Sequence, residues 1–248
     1  MKSILFCTSY IKDQQAWASR YQRWLDYYQN GPINALKKIM IDDGSPFLPS
    51  PDIIKAVSAD TSVAQNQEKC LIIHFDNNLG RHSTADYPGW WRSFLHSVNI
   101  ANELGVDKII HIESDAYILT PRLANYINDI QSGWHVLWSP HYQFPETAIQ
   151  VICRDQFGSV EQIRQDHPNF SFPDIAEKVL PFTEINREFK GDRYSDFQRN
   201  RWIFRSRKFN RFRIFNTNFF LVAIPPDADF VTQTVPRQQF EFKQHEQV

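Results

Sequence analysis

The 248-residue chain has no apolar run of membrane-spanning length. A spanning helix needs about 20 consecutive apolar residues. The longest such run near the C-terminus is Phe219 to Ile224, and mean hydropathy is −0.47. The N-terminal run Ile4-Leu5-Phe6-Cys7 is too short for the core of a secretory leader, so a cytoplasmic location is expected. Cysteine is scarce. Cys7, Cys70 and Cys153 are odd in number and lack metal-site spacing; Cys7 and Cys70 fall in strand-like runs and read as buried thiols. No serine elbow, phosphate-binding glycine loop, zinc pattern, internal repeat or low-complexity tract is present. His74 and His111 alternate with apolar strand residues and read as structural, and His82, His96, His135 and His141 show no ligand spacing.

A net charge is nearly absent as well, at −1, but the balance is uneven. From Arg187 to Arg213 there are ten basic residues against three acidic ones, leaving the rest of the chain acidic. Aromatics interleave there (Trp202, Phe204, Phe209, Phe212), and such a stretch can attract phosphates, an anionic membrane surface or nucleic acid. A solvated surface element is the plainer reading of the same residues.

Hydrophobic residues make up 42% of the chain, enough for one sizeable α/β domain. Ile4 to Ser9 reads as a strand. Trp17, Tyr21, Trp24, Leu25 and Tyr28 then line one helix face, which Asn30-Gly31-Pro32 ends. Lys37 to Ile41 and Leu71 to Phe75 read as strands, and Ile53 to Ala59 as a short helix. Pro88-Gly89 opens a helix with Trp91, Phe94, Leu95, Val98 and Ala101 on its buried face, stopped by Gly105. Lys108 to Ile112 is a further strand; Leu123, Tyr126, Ile127 and Ile130 repeat helical spacing; Trp134 to Trp138 and Ile149 to Cys153 are again strand-like, as is Phe212 to Ile224. Alternating strands and helices predict a mainly parallel sheet flanked by helices. Ligands of such sheets bind beyond the carboxyl ends of the strands. Asp42, Asp43, Asp76, Glu113 and Asp115 all fall there. Glu113-Ser114-Asp115 places two carboxylates around one residue at a strand end, where they can share a hard cation that also takes phosphate oxygens.

These features together resemble GT-A fold glycosyltransferases of the family-2-like group. The opening strand and aromatic helix are similar to the start of that fold. Ile41-Asp42-Asp43-Gly44-Ser45 is similar to its aspartate-rich turn, Asn78-Leu79-Gly80 to its Asn-x-Gly element, and Glu113-Ser114-Asp115 to its DXD-type motif. The order holds over residues 3–130. Two departures stand out: Glu113 replaces the first aspartate, and Arg81 to Tyr87 precede the helix whose Arg92 is the nearest equivalent of the group's arginine. Farther along, Gly191 to Arg199 resembles the element that supplies the catalytic base in inverting members, and the register leaves Asp192 and Asp196 both as candidates.

The resemblance implies a single GT-A domain over 1–248. Residues 1–130 would bind the nucleotide sugar, and residues 131–235, with the basic aromatic segment 187–213, the acceptor; 236–248 would form a polar tail. It also implies an inverting hexosyltransferase that uses Mn²⁺ or Mg²⁺, held by Glu113 and Asp115. The donor would be a nucleoside diphosphate sugar and the acceptor a glycan or lipid-linked glycan, with segment 187–213 able to meet the membrane surface and no nucleic acid expected. Thr8, Tyr10, Asp42, Asp43, Asn78, Gly80 and Ser114 are the expected donor-binding residues, with Arg92 and Arg81 toward the pyrophosphate. Trp90 and Trp91 could stack on a sugar, although the helix stripe explains Trp91 without a ligand. The competing reading is a degenerate GT-A domain that holds nucleic acid or anionic lipid through the basic stretch. A nucleotidyltransferase is disfavoured because no glycine-rich, lysine-bearing loop follows the first strand.

Overall fold

A computed structural model of the protein describes residues 1–83, 86–194, 224–236 and 238–243. Most of the basic aromatic segment, Asp196 and the strand expected from Phe212 lie outside the described residues. Among the described residues, eight strands form one sheet in the order β3-β4-β2-β1-β5-β8-β7-β9. They are β1 (Ser3–Ser9), β2 (Lys37–Asp42), β3 (Lys55–Ser58), β4 (Cys70–His74), β5 (Lys108–Ile112), β7 (Trp134–Ser139), β8 (Phe144–Cys153) and β9 (Glu184–Asn186). The five strands from β3 to β5 run parallel, β8 runs antiparallel to β5 and β7, and β7 is parallel to β9. The mainly parallel sheet expected from the strand–helix alternation is therefore present.

The central strands are buried on both faces, which is why they read as continuous apolar runs. Leu5, Cys7, Met40, Ile72 and Ile110 project to one side and Ile4, Phe6, Ile39, Ile41 and Ile109 to the other, as the two-residue period of a strand requires. The first layer is covered by α1 (Gln14–Ala16), a π turn (Trp17–Tyr21), α2 (Gln22–Gln29) and α4 (Pro121–Asp129). The second is covered by α3 (Pro88–Leu104) and α5 (Phe157–Asp166). Asp13 caps the first of these helices through its side chain, and Gly105 ends α3 in the left-handed conformation. Lys108, buried within β5, donates to the carbonyls of Ile127, Asn128 and Ile130, satisfying the C-terminal end of α4.

One sequence expectation fails. Ile53 to Ala59 is not a helix; Lys55–Ser58 pairs with β4 as the edge strand. With no apolar stripe at helical spacing, this segment draws its order from the free edge of β4 rather than from a buried face of its own.

A smaller sheet, β10-β11-β6, joins Gly191–Asp192, Phe230–Val231 and Tyr117–Ile118. It ties the later chain to the turn after β5: Thr234 N–H donates to the Asp115 carbonyl, and Leu119 N–H to that of Asp229.

His96 on α3 packs edge-on against Phe75, and burial together with nearby Arg164 lowers its pKa to about 4. Between pH 6.5 and 4 the unfolded chain takes up a proton that the fold refuses, so stability falls as pH drops through that window. The loss amounts to about 3 kcal/mol at most. Urea titrations across that range should show the decline in wild type and a flatter profile in His96→Gln; parallel profiles would exclude His96 as the source.

Candidate active site

The carboxyl ends of β1, β2 and β5 open into a cleft of about 810 Å³. Thr8, Tyr10, Asp43, Asn78, Gly80, Arg81, Trp90, Glu113 and Asp115 line it, so nine residues expected at the site meet on one surface. Asp42, Arg92, Ser114 and Asp192 do not line it, and each has a visible structural occupation.

Asp42 is fully buried and accepts from Ser9 Oγ (3.0 Å), Ser45 N (2.9 Å), Ser45 Oγ and His74 Nδ1 (2.7 Å). It pins the turn after β2 to β1 and β4. Asp43 anchors the next layer. Its carboxylate accepts from Asn78 Nδ2 and Gly80 N, both at 2.8 Å, and pairs with Arg92. Arg92 also donates to the Asn77 side chain and carbonyl and lies over the Phe75 ring. The arginine expected at a pyrophosphate is thus buried behind Asp43. Two glycines permit this packing. Gly44 has a φ of +69°, and a Cβ on it would overlap the Asn77 carbonyl. A Cβ on Gly89 would overlap the Asp43 carboxylate.

Glu113 follows β5 and is held from three directions. Thr8 Oγ1 lies 2.9 Å from both carboxylate oxygens; Trp90 Nε1 and His111 Nε2 (3.1 Å) meet Oε1. Burial opposes the charge of Glu113, but the adjoining His111 and the Trp90 N–H outweigh it and hold the carboxyl below its ordinary pKa. Asp115 is pushed the other way. Burial raises its pKa, Arg20 opposes the rise, and the neighbouring Glu113 adds to it. Ser114 is buried between the two and accepts from Arg20 Nε at 2.6 Å.

Farther into the later chain, Glu146 on β8 is 1% exposed and accepts from Arg193 Nε (2.8 Å), Thr232 Oγ1 (3.1 Å) and Ala148 N (3.1 Å). Arg193 also reaches Glu177 Oε1 at 3.0 Å. Glu146, Glu177 and Arg193 all line the cleft. Asp192, one residue earlier, accepts instead from Ser139 Oγ and the His141 N–H. Sequence reasoning passed over Arg20, Glu146, Glu177 and Arg193. None stands at the end of a parallel strand: Arg20 lies on the π turn, Glu146 on the antiparallel β8, Glu177 on the short helix Ala176–Val179 packed against β8, and Arg193 directly after the small sheet.

The donor set suits a hard cation in kind, being two carboxylates at one turn, with Glu113 Oε2 approached among the described residues by Thr8 alone. No group of three or more His, Cys, Asp or Glu gathers as a metal site among the described residues. Two carboxylates nevertheless fit an ion such as Mg²⁺, which commonly completes its shell with water and substrate phosphates.

No protein-family model matches the chain, and no curated protein matches it. Among solved structures, the chain is similar to a glycosyltransferase involved in glycosylation of the major capsid of PBCV-1. That match has a TM-score of 0.39 and 10% identity over 79% of this chain and 83% of the other. It is also similar to the apo-form glycosyltransferase GlyE of Streptococcus pneumoniae TIGR4, with a TM-score of 0.48 and 13% identity over 97% of this chain and 56% of that one. The functional reading below rests on the chain's own residues.

Because Arg92 is buried against Asp43, Arg92→Leu should destabilise the ligand-free protein by about 3–5 kcal/mol, the usual consequence of stranding a buried charge. Urea unfolding without ligand measures it. Unchanged stability would return Arg92 to a ligand-binding role.

Proposed function

We propose that the protein transfers a sugar from a nucleoside diphosphate sugar to a hydroxyl of a glycan or lipid-linked glycan, with a divalent cation and inversion at the anomeric carbon. The single observation that carries this reading is the charge of the cleft. Five carboxylates line it (Asp43, Glu113, Asp115, Glu146, Glu177) against three guanidiniums (Arg20, Arg81, Arg193), and Arg92 behind the wall offsets Asp43, which leaves one carboxylate in excess. A pocket of that balance repels a diphosphate unless a cation enters with it. The same balance disfavours a protein that holds nucleic acid or anionic lipid in this cleft.

In this reading Glu113 and Asp115 would hold Mn²⁺ or Mg²⁺, which when bound would supply positive charge to the leaving diphosphate. Thr8, Trp90 and His111 fix the Glu113 carboxylate in its ionised form, ready to coordinate. Asp43, Asn78 and Gly80 shape the wall beside the end of β2. Tyr10, 45% exposed at the rim, offers an aromatic face to the nucleoside base. Its backbone is fixed by Tyr21 Oη, which accepts from Tyr10 N–H and donates to Tyr10 C=O.

Inversion needs a carboxylate able to take the acceptor proton. Asp192 is occupied by Ser139 and His141, and Asp196 lies outside the described residues. Within the cleft, Glu146 spends both oxygens on Arg193, Thr232 and its own strand. The hydrogen bonds from Thr147 and Arg193 to Glu177 both fall on Oε1. Glu177 is therefore our preferred proton acceptor among the described residues.

Two experiments test the reading. UDP-, GDP- and dTDP-hexoses are screened by thermal shift with and without Mn²⁺. One of them should stabilise the wild type only with the cation present, and Asp115→Asn should abolish that response while leaving the ligand-free melting temperature nearly unchanged. An undiminished response in the variant would sink the cation assignment. With the donor identified, Glu177→Gln should lower kcat about 100-fold or more while donor binding stays intact; wild-type turnover would rule out Glu177 as the base.

A further inference from the structure

Arg20 has no counterpart among the motifs that suggested the fold, yet it is the cation closest to the paired carboxylates. It belongs to the π turn Trp17–Tyr21. Such turns are uncommon and often occur at functional sites. Trp17 and Tyr21 bury their rings in the core, and Tyr21 is tied to the backbone of Tyr10. Arg20, between these anchors, reaches the cleft. Its Nη2 lies 3.0 Å from Asp115 Oδ2, and its Nε donates to Ser114 Oγ at 2.6 Å.

Guanidiniums at this cleft differ in their freedom. Arg92 is buried against Asp43 and Asn77, and Arg193 is shared by Glu146 and Glu177. Arg20 has one carboxylate partner and a side chain 43% exposed. It also lines an adjoining hollow of about 300 Å³, together with Tyr10, Tyr21 and Asp115. A guanidinium carries five N–H donors in a planar fork matched to phosphate oxygens. Two groups are engaged here, leaving donors for a ligand.

We propose that Arg20 is a built-in cation of the donor site that contacts the diphosphate of a bound nucleoside diphosphate. This inference rests on the transferase reading above. With Arg20 in place, the Glu113–Asp115 pair carries one uncompensated negative charge rather than two, so a phosphate can approach the turn. Asp115 then serves both Arg20 and the divalent cation, and Arg20 keeps contact with the phosphate when it yields that carboxylate.

The test is calorimetric binding of UDP, GDP and dTDP, and of the matching monophosphates, to wild type, Arg20→Lys and Arg20→Ala. It is run in EDTA and in Mn²⁺, and scored in whichever gives measurable wild-type binding. Arg20→Ala should weaken the diphosphate at least tenfold and the monophosphate less than threefold, with Arg20→Lys intermediate. Circular dichroism confirms that the variants are folded, and Arg20→Lys decides the matter if the alanine variant is not. Equal affinity for the diphosphate in wild type and variants, or equal losses for both nucleotide classes, overturns the role of Arg20 and leaves the transferase reading standing. No binding of any nucleoside diphosphate to wild type overturns both.

Discussion

The contact on which the site depends is the one between Thr8 and Glu113, 105 residues apart in sequence. It exists because β1 and β5 are parallel neighbours, with Phe6 opposite His111. Parallel pairing brings two strand ends to the same edge of the sheet, and the hydroxyl of one then meets the carboxylate of the other. His111, two residues before Glu113 and on the same face of the strand, supplies a second contact. Trp90, near the start of α3, supplies a third. The carboxylate most central to the cleft is thereby kept charged in a buried place, which isolated burial would prevent.

Around this centre, acidic residues with similar sequence contexts have different tasks. Asp42 and Asp43 are adjacent, yet only Asp43 borders the cleft. Asp42 turns its whole hydrogen-bonding capacity to β1, β4 and its own turn, and Asp43 uses most of its own on the Asn78–Gly80 loop and Arg92. Both build walls. Among the described residues, Asp115 and Glu177 each pair with a single basic side chain, and the proposed reaction assigns the cation to Asp115 with Glu113 and the proton to Glu177.

The later chain completes the site by an antiparallel return. Strand β8 runs back along β5, so Ile149 stands opposite Ile112 and Glu113 N–H bonds to the Ala148 carbonyl. That register carries Glu146 and Thr147 past the end of β5 into the cleft. The small sheet adds the second tie, setting Asp192 beside Val231 and Ile118 beside Phe230. Arg193 follows directly and bridges Glu146 and Glu177. The apolar spacing of Ile149 to Cys153 was legible as a strand; its direction was not.

Sequence by itself determined the layered α/β architecture and the acidic turns at the ends of β2 and β5. Apolar periodicity and local caps, such as Asp13 and Gly105, act over a few residues and can be read from a few residues. Lys55–Ser58 escaped that reading because its strand character comes from the neighbouring edge of β4. Tertiary structure alone decided which of two adjacent aspartates faces the cleft, that Arg92 is walled in, and that Arg20, Glu146, Glu177 and Arg193 join it. The reason is physical: hydrogen bonds and ion pairs between residues 15 to 105 positions apart follow from strand order and register, and neither is encoded in local spacing.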